Sequence, residues 1–233
     1  MTDQTIWCLG MYGSASTWLF NVVRQVQGES DTAQPVSHFF SREESFESFS
    51  RGNTVDLVKS HEISDDATII ELASRVRKMF ITVRDPRDAV VSLMLARSHT
   101  FERALHFVGQ SARLCAEFSG DKRAQLFVYE TEFFNVVGTV KRVAVHLGFS
   151  ITNEAMQRIF AATSRPEVEK YIAAMHKQSG ILQDKVSGDL LDPKTQWHTH
   201  HAGRSGEIGR WRQILTSQQI REVEAQVPYF LAV

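Results

Sequence analysis

The residues most suggestive of chemistry form a short loop, GMYGSASTW, at positions 10–18. The loop follows the apolar run TIWCLG and precedes a segment with helical spacing, so it predicts a turn between a strand and a helix. Small residues let backbone amides approach an anion closely, and the amino end of a helix attracts phosphate. The loop contains neither lysine nor arginine. It is therefore either a phosphate site without a cation of its own or an ordinary turn.

The same loop departs from the pattern GxxxxGK[ST] of nucleoside triphosphatases. Gly10 and Thr17 fit that pattern, whereas Ala15 replaces its second glycine and Ser16 replaces its lysine. The interpretation of the protein as a kinase or ATPase is therefore weakened, because the position that needs a cation has none. The hydroxyls of Ser14, Ser16 and Thr17 remain as hydrogen-bond donors.

A second candidate group is an arginine and a serine in VRDPRDAVVSLM. Arg84 ends a predicted strand, and Ser92 lies eight residues later on a helix that begins at Pro86. A guanidinium and a hydroxyl on one anion make a good phosphate clamp. Arg87 and Asp88 are expected to be exposed residues of the first turn.

Two further segments carry basic residues near the carboxyl end. The stretch GRSGEIGRWRQILT (203–216) has three glycines, three arginines and a tryptophan, which predicts either a basic flap or a glycine-rich surface loop. The stretch WHTHHAG contains His198, His200 and His201. Without a cysteine or acidic partner these histidines are weak support for zinc. They would help to close the site, supply an alternative base, or belong to an exposed polar loop.

Strand-like and helix-like segments alternate along the chain, and two segments, 30–53 and 165–200, are polar and irregular. This alternation predicts an α/β fold: a single domain over 1–233 with a central parallel sheet flanked by helices. Ligands bind beyond the carboxyl ends of such strands. The predicted strands are 5–10, 54–60, 78–84 and 125–130, and the predicted helices are 16–28, 67–77, 86–98, 101–118, 136–149, 153–164 and 216–227.

The composition argues against several classes of protein for this chain. The 233 residues are 42% hydrophobic and carry a net charge of −1, which argues against a general nucleic-acid binder. Cys8 and Cys115 lack a CxxC partner, which predicts two buried thiols in a reducing compartment. The amino terminus does not resemble a signal peptide, and no apolar run is long enough to span a membrane. We expect a cytoplasmic protein.

Taken together, these motifs resemble the sulfotransferases that use 3′-phosphoadenosine 5′-phosphosulfate (PAPS). The family's first motif is similar to TYPKSGTTW, its second runs from an arginine at a strand end to a serine eight residues on, and its third is similar to RKGxxGDWK. A KTH element and a strand-end YED complete the set. All five occur here in family order over roughly residues 5–216. The matching residues are Ser14, Thr17 and Trp18; Arg84 and Ser92; Arg204, Gly206, Gly209 and Trp211; Lys59-Ser60-His61; and Tyr129.

The resemblance implies a P-loop-type fold and a role for each matching residue. The first loop would hold the 5′-phosphosulfate, Trp18 would stack on adenine, and Tyr129 would lie near the nucleotide. No metal is implied for the transfer. The implied nucleotide-binding residues are Gly13, Ser14, Ala15, Ser16, Thr17, Trp18, Arg84, Ser92, Tyr129, Arg204, Ser205 and Gly206.

The resemblance also implies catalytic roles for His61, as the general base, and for Lys59, which would offset charge on the transferred group. The family's loop lysine aligns with Gly13. Lys59 is the first candidate to replace its charge. Arg210, Arg212 or a histidine of WHTHHAG come next.

The implied function is transfer of a sulfuryl group from PAPS to a hydroxyl, or to an amine, giving adenosine 3′,5′-bisphosphate (PAP). The acceptor would be a small molecule, a glycan or a lipid. A small-molecule kinase using ATP and Mg²⁺ is an alternative, and so is a non-catalytic protein that binds PAP or PAPS.

Overall fold

A five-stranded parallel sheet forms the centre of the protein, in the strand order β2-β3-β1-β4-β5. The computed structural model describes residues 5–29, 34–40, 46, 49, 54–63, 65–184, 188–202 and 206–231. The strands of this sheet are β1 (Thr5–Gly10), β2 (Gln34–Phe40), β3 (Thr54–Ser60), β4 (Val76–Val83) and β5 (Ala124–Val128). A short antiparallel pair, β6 (Leu182–Gln183) and β7 (Leu190–Leu191), forms a second sheet.

Helices provide the described crossover connections: α1 (Ser16–Gly28) joins β1 to β2, α2 (Asp66–Arg75) joins β3 to β4, and α3 (Pro86–Arg97) with α4 (Phe101–Phe118) joins β4 to β5. The helices that follow β5 within the described ranges are α5 (Gly138–Leu147), α6 (Asn153–Ala162), α7 (Arg165–Ala174), α8 (Trp211–Ile214) and α9 (Ser217–Gln226). None of these helices has the length and apolar character needed to cross a membrane.

The sheet is buried on both faces, because successive side chains of a strand point to opposite sides. In β1, Trp7 and Leu9 join the core formed with α2, α3, α4 and α9, whereas Ile6 and Cys8 join the core formed with α1, α5 and α6. The predicted α/β fold with a central parallel sheet flanked by helices is confirmed.

Both cysteines are free and buried, and they lie in the cores on opposite faces of the sheet. Burial raises the pKa of the Cys8 and Cys115 thiols, so both remain protonated at neutral pH. This agrees with the prediction of two buried thiols.

The structure corrects the sequence-based elements in two places. The segment 30–53, expected to be irregular, contains the edge strand β2, and the segment 165–200 contains α7. Several predicted ends also shift by one to two residues; β4, for example, begins at Val76 rather than at position 78. Both β2 and α7 are only partly buried, so they carry many polar residues. The apolar periodicity that would predict a strand or a helix is therefore weak in both.

The loops that carry the predicted site meet at one edge of the sheet. Strand pairing sets Leu9 beside Ser60, Gly10 beside Thr82, and Val83 beside Val128. The carboxyl ends of β1, β3, β4 and β5 therefore lie side by side, as the parallel sheet predicts.

Candidate active site

A cleft of about 300 Å³ opens at this edge of the sheet. Its volume is at the lower end of the range for small-molecule sites. The first loop, the end of β4, helix α3 and the histidine-rich segment all contribute to its walls. Among the predicted site residues, those that line it are Gly13, Ala15, Ser16, Thr17, Trp18, His61, Arg84, Ser92, Tyr129 and Gly206.

The backbone of the first loop turns sharply into α1. Gly13 and Ala15 both have left-handed backbone angles, with φ of 71° and 60°. At Gly10 a Cβ atom would lie 2.4 Å from both Ser16 Cβ and Thr82 Oγ1, so only glycine fits. The first amides of α1 have no intrahelical partner and face the cleft with the positive end of the helix dipole.

Hydroxyl groups stabilise this loop from within. Ser14 Oγ donates to the Met11 carbonyl at 2.6 Å and lies 2.7 Å from Thr82 Oγ1. Ser14 is fully buried, whereas Ser16 and Thr17 line the cleft. Ser14 therefore shapes the loop, and the hydroxyls open to an anion are those of Ser16 and Thr17.

Substituting Ala15→Gly should stabilise the protein, because an L-residue in the left-handed region costs about 1–2 kcal/mol. The greater entropy of unfolded glycine offsets about 0.5–1 kcal/mol of that gain. We expect the free energy of unfolding from urea titrations to rise by about 0.5–1 kcal/mol. Ala161→Gly, at an exposed right-handed position of α6, is the matched control and should lower it by about 1 kcal/mol. A loss of stability in both variants would contradict the expectation.

Arg84 joins the first loop to the carboxyl-terminal part of the chain. Its side chain is 1% exposed; Nη1 donates to the Gly13 carbonyl at 3.0 Å and Nη2 to the Glu207 carbonyl at 2.9 Å. The guanidinium stacks over the Tyr129 ring at 4.1 Å. Its Nε is buried and has no hydrogen-bond partner within the described residues. Because a buried donor without a partner is costly, Nε is suited to meet a ligand at the cleft.

Arg84 and Ser92, the two residues of the predicted clamp, each lie beside Gly13 of the first loop. A Cβ at Gly13 would lie 3.0 Å from Ser92 Oγ, so that loop and α3 are in close contact. Tyr129 Oη donates to the Gly206 carbonyl at 2.7 Å. Arg204 and Ser205 lie outside the described residues.

Trp18 forms part of the cleft wall and is held from two sides. Its Nε1 donates to the Thr163 carbonyl at 2.9 Å, and its ring packs edge-on against Phe133 at 5.8 Å. The ring is thus fixed in orientation and available for stacking by a flat ligand.

Lys59 and His61 form a close pair at the end of β3. Lys59 Nζ lies 3.2 Å from His61 Nε2, and His61 Nδ1 lies 2.7 Å from the Gly10 carbonyl. Since a carbonyl only accepts, Nδ1 carries the proton and Nε2 presents its lone pair to the lysine. The Tyr12 ring stacks on His61 at 4.3 Å and fixes the imidazole plane.

Burial sets the ionisation of this pair. It lowers the pKa of Lys59 to about 7, with a further contribution from the charge of Arg97. Burial, followed by the charge of Lys59, holds the pKa of His61 well below its usual range. Near neutral pH His61 is therefore a neutral base, and Lys59 is poised between its charged and neutral forms.

Sequence reasoning missed Arg97, in the last turn of α3. Its side chain lines the cleft with Tyr12 and Gly13, and its Nη2 lies 3.3 Å from His200 Nε2. The five-residue spacing from Ser92 is not one that places two residues on the same helix face, so the sequence carried no signal for Arg97. Arg97 adds an arginine to the part of the cleft where the loop lacks a lysine.

The basic segment near the carboxyl end, predicted to be a flap or a surface loop, is held by hydrogen bonds to α3. Asp88 accepts from the amides of Gly209 at 2.6 Å and Trp211 at 3.0 Å. Arg210 and Arg212 do not line the cleft of the described structure, so they are poor candidates to replace the loop lysine.

The expectation that Arg87 and Asp88 are exposed is wrong. Arg87 is largely buried, pairs with Asp85 at 2.6 Å and with Glu224 at 2.8 Å, and stacks over Trp211 at 4.1 Å. Asp88 is 2% exposed. The charges are buried because each has partners from the carboxyl-terminal segment, which a local reading of the helix does not reveal.

The histidine-rich segment also has an acidic partner that the sequence did not indicate. Asp189 Oδ2 lies 3.0 Å from His198 Nδ1 and 2.7 Å from His200 Nδ1. Burial alone would raise the pKa of Asp189, but hydrogen bonds from Thr199 and His200 lower it to about 2. Burial lowers the pKa of His198 to about 4. His200 and His201 line the cleft, so the expected place of this segment beside the site agrees with the structure.

A five-stranded parallel sheet between two layers of helices, with a glycine-containing loop after its first strand, makes the protein a member of the α/β class. The chain shares its fold with solved sulfotransferase structures. It is similar to mouse sulfotransferase SULT7A1 complexed with PAP, with a TM-score of 0.66 and 18% identity over 97% of this chain and 84% of that one.

A second similar structure is retinol dehydratase in complex with retinol and PAP, with a TM-score of 0.64, 14% identity, and coverage of 98% and 81% of the two chains. The structure of the same enzyme with androsterone and PAP has a TM-score of 0.63 and 14% identity, with coverage of 98% of this chain and 80% of that one. No protein-family model matches the sequence, and no curated protein matches it. The resemblance to sulfotransferases is thus confirmed in the fold.

Proposed function

We propose that the protein is a sulfotransferase that moves a sulfuryl group from PAPS to a hydroxyl of its acceptor and leaves PAP. The observation that carries this proposal is that His61, bonded to the buried Lys59, lines the same cleft as Arg84 and the first loop. The solved structures that share the fold contain PAP, which supports the same nucleotide here.

The residues of the cleft fit a nucleotide with two anionic ends. The first loop and the amino end of α1 offer backbone amides and the hydroxyls of Ser16 and Thr17 to the 5′ end. Arg84 Nε is a buried donor without a partner among the described residues, and it suits the 3′-phosphate together with Ser92. Trp18 offers its ring to the adenine.

When bound, PAPS would supply the sulfuryl group and a stable leaving group. His61 Nε2 would accept the proton of the acceptor hydroxyl as that oxygen attacks sulfur. Lys59 occupies that lone pair in the present arrangement, so it must turn toward the transferred group before His61 can act. His61 would then bond the acceptor hydroxyl, and Lys59 would offset negative charge on the transferred sulfuryl group.

The positive charge missing at Gly13 is assigned to Lys59 and Arg97. Arg97 lines the cleft and Lys59 lies behind its wall, bonded to His61, and the charge of Arg97 acts on both Lys59 and His61. The acceptor would enter at the His61 end of the cleft, where Tyr12, Leu93 and Ala96 give the wall an apolar character. An apolar wall favours a small molecule or a lipid over a glycan.

Calorimetric titration with PAP in the absence of metal tests the nucleotide, and radiolabelled PAPS with a nitrophenol, a sterol and a disaccharide tests the transfer. We expect PAP to bind and ATP with Mg²⁺ not to displace it. ATP·Mg²⁺ binding without PAP binding would overturn the proposal in favour of a kinase. PAP binding without transfer to any acceptor, or to water, would favour a non-catalytic binding protein.

The rate of transfer should depend on pH through Lys59. Its pKa of about 7 means that the charged form is lost as pH rises, while His61, with its low pKa, is already neutral. We expect kcat/KM for PAPS to be greatest just below pH 7 and to fall by about tenfold per pH unit above it. Lys59→Arg keeps the charge and should flatten this decline. A wild-type profile that stays level from about pH 7 to 9 would contradict the assignment.

A further inference from the structure

Asp189, His198 and His200 form a cluster of metal-ligating side chains beside the cleft. One ligand atom from each lies within 4.8 Å of the others. The shortest separations run from Asp189 Oδ2, at 3.0 Å from His198 Nδ1 and 2.7 Å from His200 Nδ1. All three residues are partly buried. The cluster thus combines a carboxylate with two imidazoles, a set typical of zinc ligands.

The backbone around this cluster is held by its own contacts. Leu191 of β7 forms an antiparallel bridge with His198, and the Leu190 amide donates to Thr199 Oγ1 at 3.2 Å. The Thr199 hydroxyl in turn donates to Asp189 Oδ1. The His198 amide donates to His201 Nδ1 at 3.0 Å, which closes the turn. The ligand atoms are therefore brought together by the fold before any ion binds.

We propose that Asp189, His198 and His200 bind one Zn²⁺ ion through Asp189 Oδ2 and the two Nδ1 atoms. Zinc lies about 2.0–2.2 Å from such ligands, so tetrahedral ligand atoms are about 3.4 Å apart. The two separations from Asp189 Oδ2 need to grow by less than about 1 Å to reach that spacing. His200 lines the cleft, so the fourth position of the ion would open toward it.

Binding of the ion would compete with the contact between Arg97 and His200. In the metal-free arrangement His200 Nδ1 donates to the Asp189 carboxylate, so Nε2 accepts from Arg97 Nη2 at 3.3 Å. With Nδ1 bound to zinc, the proton of the neutral ring moves to Nε2, and two donors then face each other. Arg97 must leave His200 when zinc binds. Its charge also opposes the ion, so removing Arg97 should strengthen zinc binding.

Equilibrium dialysis of the EDTA-treated full chain against Zn²⁺, with metal analysis, tests the site without reference to activity. We expect one equivalent of Zn²⁺ per chain, no uptake of Mg²⁺, and visible absorption from Co²⁺ typical of a tetrahedral site. His200→Ala and Asp189→Asn should each weaken Zn²⁺ binding by at least about tenfold. Arg97→Ala should tighten it severalfold. His106→Ala, on the exposed face of α4, is the matched control and should bind as the wild type does.

Circular dichroism of each variant separates loss of ligands from loss of fold, and His198→Gln provides a third ligand variant. No Zn²⁺ uptake by the wild-type chain would overturn the proposal, as would uptake that the ligand variants leave unchanged. Unchanged affinity in Arg97→Ala would overturn the competition between Arg97 and the ion. The site does not rest on the proposed sulfotransferase function, and PAP titration of the same samples reports that function separately.

Discussion

His61→Ala is expected to slow sulfuryl transfer from PAPS by about 10²–10⁴-fold, the usual contribution of a general base. The affinity for PAP should stay within about twofold of the wild type, because the His61 imidazole bonds the Gly10 carbonyl and Lys59 rather than any residue assigned to the nucleotide. Single-turnover rates with radiolabelled PAPS measure the first effect, and calorimetry with PAP measures the second.

His106→Ala is the control for removing an imidazole, since His106 is exposed on α4 and lies outside the cleft. It should transfer at the wild-type rate. If His61→Ala also kept that rate, the proton acceptor would lie elsewhere. His201, partly buried and lining the cleft, would then be the next residue to replace.

Arg84→Lys is expected to weaken PAP binding by about 10- to 150-fold, the equivalent of about 1.5–3 kcal/mol for a charge-assisted hydrogen bond. An ammonium cannot reproduce the guanidinium fork, which bonds the Gly13 and Glu207 carbonyls and still presents Nε. The variant keeps the positive charge, so the loss reports geometry rather than charge. Calorimetric titration with PAP gives the change directly.

Arg123→Lys is the matched control for this substitution. Arg123 also donates to backbone carbonyls, those of Ala73 and Val76, but it lies outside the cleft. It should leave PAP affinity unchanged even if it lowers the melting temperature. Equal PAP affinity in wild type and Arg84→Lys, with both folded, would remove Arg84 from the nucleotide site.

The sequence indicated most reliably the elements whose signals are local. An apolar run that ends at Gly10 and a helix-spaced run that begins at Ser16 gave β1 and α1 with the bounds that the structure has. Thr216 forms a capping box with Gln219, three residues along the chain, at the start of α9. In each case a few neighbouring residues determine the conformation.

The sequence could not indicate what depends on distant contacts. The buried state of Asp88 requires amides 121 and 123 residues further along the chain. Asp189 meets His198 and His200 only because β6 and β7 pair and His198 bridges to Leu191. Arg97 reaches the His61 end of the cleft because α3 packs against the first loop, where Ser92 lies close to Gly13. None of these contacts leaves a pattern in the residues that surround it.

The bonds from Asp88 to Gly209 and Trp211, and from Arg84 to Glu207, join parts of the chain that are synthesised far apart in time. During translation the sheet strands and α3 emerge well before the segment that completes the cleft. A nascent chain therefore lacks a finished cleft until residues 207–211 have left the ribosome. A bound nucleotide would stabilise completed molecules and would give little help to a truncated product, which quality-control proteases could then remove selectively.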